Sequence, residues 1–312
     1  MDWKNFFDRL GLNGVAWQWR IIRWQNAWAN RKERWRAGHK HVAYRHKVCP
    51  HCGALVDRAD ATCMRCGTAV GSWRGQAVLR ALGLVLPAWC PVTALLLAAN
   101  VIWFALTVLL FGLRGLIQPD SAALVQMGAL VPGYFWHGAY WQLITYGYQH
   151  GGLLHIIFNM VTLSQVGPFL ERQFGGKRFF TVYTLALIGG GVADVFYPRV
   201  GGALIVGASG ALFGLIGLGM SFAHFYGGAQ GHEQRNFFLK WALYGFVFGA
   251  LVGADNVAHA GGFVVGAALG WVLEREQRGR SPLGGRVWTA AAVALAVLTV
   301  AAFAWMLLSR FV

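Results

Sequence analysis

Charge is scarce in this sequence. Asp, Glu, Lys and Arg make up 12% of its 312 residues, about half the share of an ordinary soluble domain. That shortage argues against a water-solvated globule, and a hydrophobic fraction of 56% with a mean hydropathy of +0.46 argues for a membrane protein. Acidic residues are scarcer still, 12 against 27 Lys and Arg. A basic excess can mark a nucleic-acid binder, but its distribution points elsewhere. Fifteen of the basic residues lie in 1–90, whereas 115–170 hold one formal charge, Asp120, and 200–231 hold none. Lys and Arg gather in this way beside membrane spans on the cytoplasmic side. The first 48 residues also lack an apolar core followed by small residues, so no cleavable signal peptide is expected.

A bilayer core about 30 Å thick needs roughly 20 apolar residues in a helix. Seven stretches come close, at 92–113, 153–170, 179–197, within 205–224, within 237–254, within 256–273, and at 287–308. The fifth is interrupted by Lys240, which must snorkel to an interface. Alternating the loops places 24 basic residues on the N-terminal side and three, Arg114, Arg199 and Arg310, on the other. That asymmetry predicts a cytoplasmic N-terminus and an outside C-terminus. Residues 115–149 are too apolar for a solvated loop, and Tyr134, Phe135, Trp136, Tyr140, Trp141, Tyr146 and Tyr148 suit the headgroup level. An outer-leaflet structure lying in or partly inside the membrane is expected there.

Cysteine is used sparingly, and four of the five fall in one pattern. Cys49-Pro50-His51-Cys52-Gly53 and Cys63-Met64-Arg65-Cys66-Gly67 are two C-x-x-C pairs, which can offer four thiolates to a tetrahedral Zn²⁺. Gly53 and Gly67 permit a positive φ after each pair. Disulfides are the competing reading, disfavoured in a reducing cytoplasm. Cys90 reads as a small apolar filler at the mouth of the first span. A stabilising fold or docking of a protein partner is the expected role of the zinc module, with nucleic acid ranked below. Upstream, Trp17, Ile21, Trp24, Trp28 and Trp35 recur at helical spacing among arginines. This fits either an amphipathic helix on the inner leaflet or a helix packed on the zinc module. The expected organisation is a basic Trp-rich segment over 1–48, a four-cysteine zinc-ribbon-like module over 49–67, a linker over 68–90 and a membrane domain over 91–312.

Polar side chains at membrane depth are costly and are functional or paired. Four stand out, all toward one leaflet: Ser209 in the fourth span, His259 in the sixth, and His155 and Asn159 one helical turn apart in the second. Singly, a membrane Ser is a packing residue and a membrane His a partnered or relay group. Together with glycine they say more. Gly262, Gly266 and Gly270 follow His259 on one face, and Gly210, Gly214, Gly217 and Ser221 flank Ser209. Two glycine-faced helices can pack closely enough to bring a hydroxyl and an imidazole within hydrogen-bond reach, and a serine is a poor nucleophile without such a base.

Gly207-Ala208-Ser209-Gly210 resembles the G-x-S-G motif of the rhomboid intramembrane proteases. His155-Ile156-Ile157-Phe158-Asn159 is similar to the family's H-x-x-x-N, and His259-Ala260-Gly261-Gly262 to its sixth-span motif. The resemblance covers about 91–273, with 287–308 as a seventh span. It implies an all-α polytopic fold, a six-helix core plus a C-terminal transmembrane helix, preceded here by the zinc-ribbon-like module. It implies Ser209 as nucleophile and His259 as base and then acid, a dyad without an acidic third member. His155, Asn159 and the Ser209 N–H would hold the oxyanion, donors worth about 3 kcal/mol each when preorganised. Phe213 would pack on the catalytic His, and Gly207, Gly262 and His150 would support the site, with Thr145 in register. The fifth span, bearing Phe237, Phe238, Phe246 and Phe248, would border the path of a substrate helix. One departure is Trp141-Gln142 where the family usually has Trp-Arg, which is expected to weaken loop anchoring rather than chemistry.

The function implied is hydrolysis of transmembrane or juxtamembrane segments of other membrane proteins, with no cofactor for catalysis and a structural Zn²⁺ elsewhere. A bacterial inner membrane is the expected location. Two other readings stand beside it: a non-catalytic relative that binds or escorts membrane clients, and a channel or transporter with His155 and His259 as relay groups.

Overall fold

The computed structural model describes residues 90–197, 204–251, 255–280 and 284–309, together with 47–49, 54–57, 59–67, 69–70 and four positions near the N-terminus (15, 18, 22 and 23). Side chains at 230, 248, 250 and 251 lie outside that description. Most of the Trp-rich segment and of the linker is outside it as well. The chain divides into two compact units.

The smaller unit carries a two-stranded antiparallel ladder, β1 (Lys47–Val48) and β2 (Leu55–Val56), with Val48 paired to Leu55. A second bridge joins Thr62 to Ala69. Val56 and Val70 are buried inside it.

The larger unit is all helix. Its long elements are α1 (Pro91–Phe111), α5 (Leu153–Phe174), α6 (Gly176–Phe196), α7 (Ser209–Tyr226), α8 (Gly228–Leu251), α9 (Asn256–Gln277) and α10 (Gly285–Leu308). Between α1 and α5 lie three short helices, α2 (Ser121–Gln126), α3 (Pro132–Phe135) and α4 (Gln142–Thr145), and two 3₁₀ turns. Among the described residues six helices are long and apolar enough to cross a bilayer: α1, α5, α6, α7, α9 and α10. The fifth expected span forms as α8, but it starts nine residues earlier than 237 and is not among those six. His232, Glu233, Gln234 and Arg235, which counting from Phe237 left out, join Lys240 in giving it a polar first half.

Burial grades from the centre outward. In α7 72% of the most apolar stretch is buried, against 28% in α1 and 17% in α10. The reason lies in the glycines. A Cβ on Gly262 would fall on the Gly210 carbonyl oxygen, and one on Gly266 on that of Gly214. One on Gly270 would come within 2.6 Å of the Leu218 oxygen. The two glycine faces seen in the sequence therefore pack on each other, backbone to backbone. In lipid, where apolar side chains gain nothing by leaving their solvent, such contact is the main source of helix association.

The two ends of the bundle differ. At one end Glu171 of α5 caps α1: its carboxylate accepts the Val92 N–H (2.9 Å), the Thr93 N–H (2.8 Å) and the Thr93 hydroxyl (2.6 Å). A negative charge there also faces the positive end of the α1 dipole. At the same end Arg178 of α6 pairs with Glu276 of α9, which also accepts the Trp288 indole N–H of α10 (2.9 Å). Arg278 pairs with Glu274 and donates to the Phe225 oxygen at the end of α7 (2.9 Å). At the other end the short helices meet the segment leading into α7. Leu130 and Ile205 exchange both backbone hydrogen bonds at 2.9 Å, and the Gly207 N–H donates to the Tyr146 oxygen (2.9 Å).

Gln142 belongs to this second end. It is buried, and its side-chain oxygen accepts the Val131 N–H at 3.0 Å. Thr145 donates to the Gly128 oxygen (2.8 Å) and the Trp103 indole to the Met127 oxygen (3.1 Å). The weakening of loop anchoring expected from Gln142 is thus met by a neutral hydrogen bond within the loop. Of the seven aromatics expected at headgroup level, Tyr134, Trp136 and Tyr140 are exposed, whereas Tyr146 and Tyr148 are buried in the helical core.

Gly266→Val places a branched side chain where the Gly214 carbonyl stands. It is expected to lower stability by about 1–3 kcal/mol, read as a drop in the thermal midpoint of the detergent-solubilised protein. Gly133→Ala, whose Cβ would meet nothing within 4 Å, leaves that midpoint unchanged.

Candidate active site

Ser209 opens α7, so its own N–H is one of the unpaired donors of a helix N-terminus. The turn before it depends on Gly207, at φ 116, a conformation that side chains disfavour. Space forbids one as well: a Cβ on Gly207 would lie 2.7 Å from Cε1 and Nε2 of His155 and 3.7 Å from Ser209 Oγ. The same geometry shows how near the His155 ring comes to the hydroxyl.

His155 stands on the first turn of α5. The Gly151 N–H donates to its Nδ1 at 3.3 Å, which leaves the proton on Nε2, the nitrogen turned toward Gly207 and Ser209. The fully buried His150 sets its ring edge-on to that of His155, with centroids 5.2 Å apart. Asn159, one turn further on, donates one Nδ2 hydrogen to the His155 oxygen (2.8 Å). Its second N–H is left for the cavity.

His259 sits on the first turn of α9, which Asp255 caps by accepting the Val257 and Ala258 N–H groups at 2.9 and 3.3 Å. Two contacts hold the imidazole. Phe213 stacks on it, centroids 4.2 Å apart and planes 17° from parallel, with Phe246 of α8 behind. The second contact runs from His259 Nδ1 to Asn256 Oδ1, 3.0 Å away. An amide oxygen only accepts, so Nδ1 carries the proton and Nε2 keeps its lone pair. Gly249 of α8 closes over this pair: a Cβ there would lie 2.9 Å from Asn256 Oδ1 and 3.5 Å from Nδ1.

Ser209, His155, Asn159 and His259 all line one cavity of about 1160 Å³. Its walls come from α5 (Leu154, Phe158), α8 (Trp241, Tyr244, Gly245) and the segment entering α7 (Leu204, Val206). Among the described residues no hydrogen bond joins Ser209 Oγ to His259, so the direct contact anticipated from the glycine faces is not made in this conformation. Catalytic hydrogen bonds without substrate are often loose and tighten in the complex. A lone-pair nitrogen, a hydroxyl and two outward N–H donors around one space are the components of nucleophilic acyl transfer.

The packing of Phe213 on His259 was expected from the family resemblance, and the close approach at Gly262 from its glycine face. Asn256, Asp255 and Gly249 were not anticipated. The signal for Asn256 was available, since a polar side chain three residues before a helical His can reach its ring. Of the four aromatics assigned to the fifth helix, Phe246 faces the site, Phe237 is exposed, Phe238 is buried, and the Phe248 side chain lies outside the described residues.

In the smaller unit the sulfurs of Cys49, Cys63 and Cys66 lie within 4.8 Å of one another. Cys49 and Cys66 are 3.5 Å apart, a thiol contact and not a disulfide. Gly67 takes φ 70 and donates to the Cys63 oxygen (2.8 Å), the turn expected after a second C-x-x-C. Three converging thiols at that spacing could hold a metal ion with one further ligand. Cys52, the fourth by sequence, lies outside the described residues. Cys90 is fully buried, its thiol near the Pro168 oxygen (3.7 Å), as a filler would be.

Residues 137–276 match the Rhomboid domain. The chain is 34% identical over 206 residues to RHOMBOID-like protein 5 of Arabidopsis thaliana, covering 57% of this chain and 66% of that one. It is 31% identical over 185 residues to the Rhomboid protease GluP of Bacillus subtilis, covering 54% of this chain and 34% of that one. With Rhomboid-like protease 3 of Toxoplasma gondii it shares 29% over 158 residues, covering 49% and 59%. The chain thus spans from about a third to two thirds of these relatives' length.

Asn256→Leu removes the acceptor on Nδ1 and keeps the volume. In ¹⁵N-histidine spectra His259 is expected to report Nδ1 protonation in the wild type and a mixture of tautomers in the variant. Identical spectra would show that Asn256 does not set the tautomer.

Proposed function

From the premise that the membrane body belongs to the rhomboid family, as its domain match and relatives support, we propose that the chain is an intramembrane serine protease acting on transmembrane or juxtamembrane segments of other membrane proteins. The observation that carries this reading is the shared cavity, which brings Ser209, His259, His155 and Asn159 around one space.

Ser209 Oγ attacks the scissile carbonyl carbon while its proton passes to Nε2 of His259. The oxyanion is received by Nε2–H of His155, Nδ2–H of Asn159 and the N–H of Ser209. Collapse expels the amine, which takes the proton from His259, and leaves an acyl-serine. Water then attacks the ester with His259 again as base. Phe213 keeps the imidazole plane in place, Gly207 leaves room for His155 beside the hydroxyl, and Gly262 lets α9 approach α7. His150 braces the His155 ring from behind. The substrate segment comes in between α5 and α8, past Phe158, Trp241 and Tyr244.

The chain sits as a multi-pass protein of a bacterial inner membrane, with the basic end of the bundle and the N-terminus in the cytoplasm and the C-terminus outside. The Cys49, Cys52, Cys63 and Cys66 thiolates bind a structural Zn²⁺, and the module they build docks a protein partner.

A fluorophosphonate probe on membranes tests the chemistry. Wild type is expected to label, and Ser209→Ala and His259→Ala are not. Labelling that survives in Ser209→Ala points to another serine. A folded wild type that stays unlabelled favours the non-catalytic binding reading. Asn159→Ala should retain labelling sites but cleave a transmembrane substrate about 10²-fold more slowly. For the zinc module, metal analysis of the purified chain is expected to give one zinc per molecule, lost in Cys63→Ser/Cys66→Ser without loss of probe labelling.

A further inference from the structure

At the basic end of the bundle, away from Ser209, a groove of about 930 Å³ runs between the start of α6 and the first half of α10. Lys177 and Arg286 stand at its mouth with Thr289, and Ala290, Val293 and Ala294 continue it toward mid-membrane. These α10 positions fall at i, i+3, i+4, i+7 and i+8 from Arg286, one face of the helix. The polar part therefore comes first and the apolar part follows over about 6 Å of helix.

Two of the basic residues at this end are compensated, and the two at the groove are not. Arg178 and Arg278 are neutralised by Glu276 and Glu274. Among the described residues Lys177 and Arg286 have no carboxylate, and Lys177 reaches only the Thr289 hydroxyl, at 2.9 Å. Two uncompensated cations over an open, shallow apolar groove at a membrane interface match an amphiphile with an anionic head and a chain. We propose that this groove binds one anionic phospholipid, its phosphate between Lys177 and Arg286 and one acyl chain along Ala290, Val293 and Ala294. The bound lipid then adds to the Lys177–Thr289 hydrogen bond that joins α6 to α10 at this end. Its binding is independent of any hydrolytic activity.

Native mass spectrometry of the full chain in detergent, titrated with dioleoylphosphatidylglycerol or dioleoylphosphatidylcholine, tests this. The wild type is expected to hold one phosphatidylglycerol in preference to phosphatidylcholine. Removing each cation should weaken that lipid about fivefold, so Lys177→Gln/Arg286→Gln loses roughly 25-fold. Ala290→Trp, which fills the channel and keeps both charges, should lose it as well, and Arg235→Gln, a cation outside the groove, should not. Equal binding of the two lipids by wild type, or an unaffected double variant, overturns the proposal. So does an Ala290→Trp variant that binds normally, which would reduce the effect to general surface attraction. Displacement of the lipid by millimolar inorganic phosphate would mark a phosphate site with no use for the chain.

Discussion

The contact between the backbones of α7 and α9 sets everything else in the membrane body. Gly210 and Gly214 offer their carbonyls where Gly262 and Gly266 have no side chain, so the two helix axes come nearer than any larger residue would allow. This closeness puts the first turn of α7 beside the first turn of α9. Ser209 and His259 both stand on those turns, and so both reach the same space. The interaction is dispersion over many short contacts, which explains why small residues recur along the full length of both helices rather than only near the polar pair.

A second constraint follows from the solvent. Polar groups in a low-dielectric interior must be satisfied or they destabilise the fold. The bundle answers this with short-range partners: Glu171 on the α1 backbone, Gln142 on Val131, Tyr146 on the Leu187 oxygen (2.7 Å), Asn256 on His259. Each of these bonds also orients something. The Tyr146 and Leu130 contacts tie the short helices to the segment before Ser209, so the loop and the turn that presents the hydroxyl move as one piece. The Asn256 bond selects which nitrogen of His259 is free. Satisfaction of a buried polar group and orientation of the imidazole are here the same bond.

The outermost helix behaves differently. α10 presents most of its surface outward, yet it touches both ends of the bundle. Phe303 packs on Trp103 and Tyr148, Trp305 stacks on Trp141, and Trp288 reaches Glu276. Aromatic rings give large contacts from few positions, which suits a helix that otherwise faces lipid.

Much of this was legible from residue types. Long apolar stretches predicted six of the seven helices to within a few residues of their ends, because a chain in lipid must satisfy its backbone within each segment. The glycine faces, and the sharing of one helix face by His155 and Asn159, followed from the 3.6-residue period. The polarity of α8 did not, because a window opened at Phe237 never met His232, Glu233 or Arg235. Nor could residue types show that Lys177 and Arg286 line one groove. What the sequence by itself determined is therefore the set of helices, their small faces and the polar side chains they carry at membrane depth, all properties of one segment at a time. Only the tertiary structure decided which arginines are paired, which nitrogen of His259 is free, how Gly249 closes on Asn256, and that hydroxyl and imidazole share a cavity without yet touching. Those depend on distances between segments far apart in the chain, and a linear pattern carries no such distances.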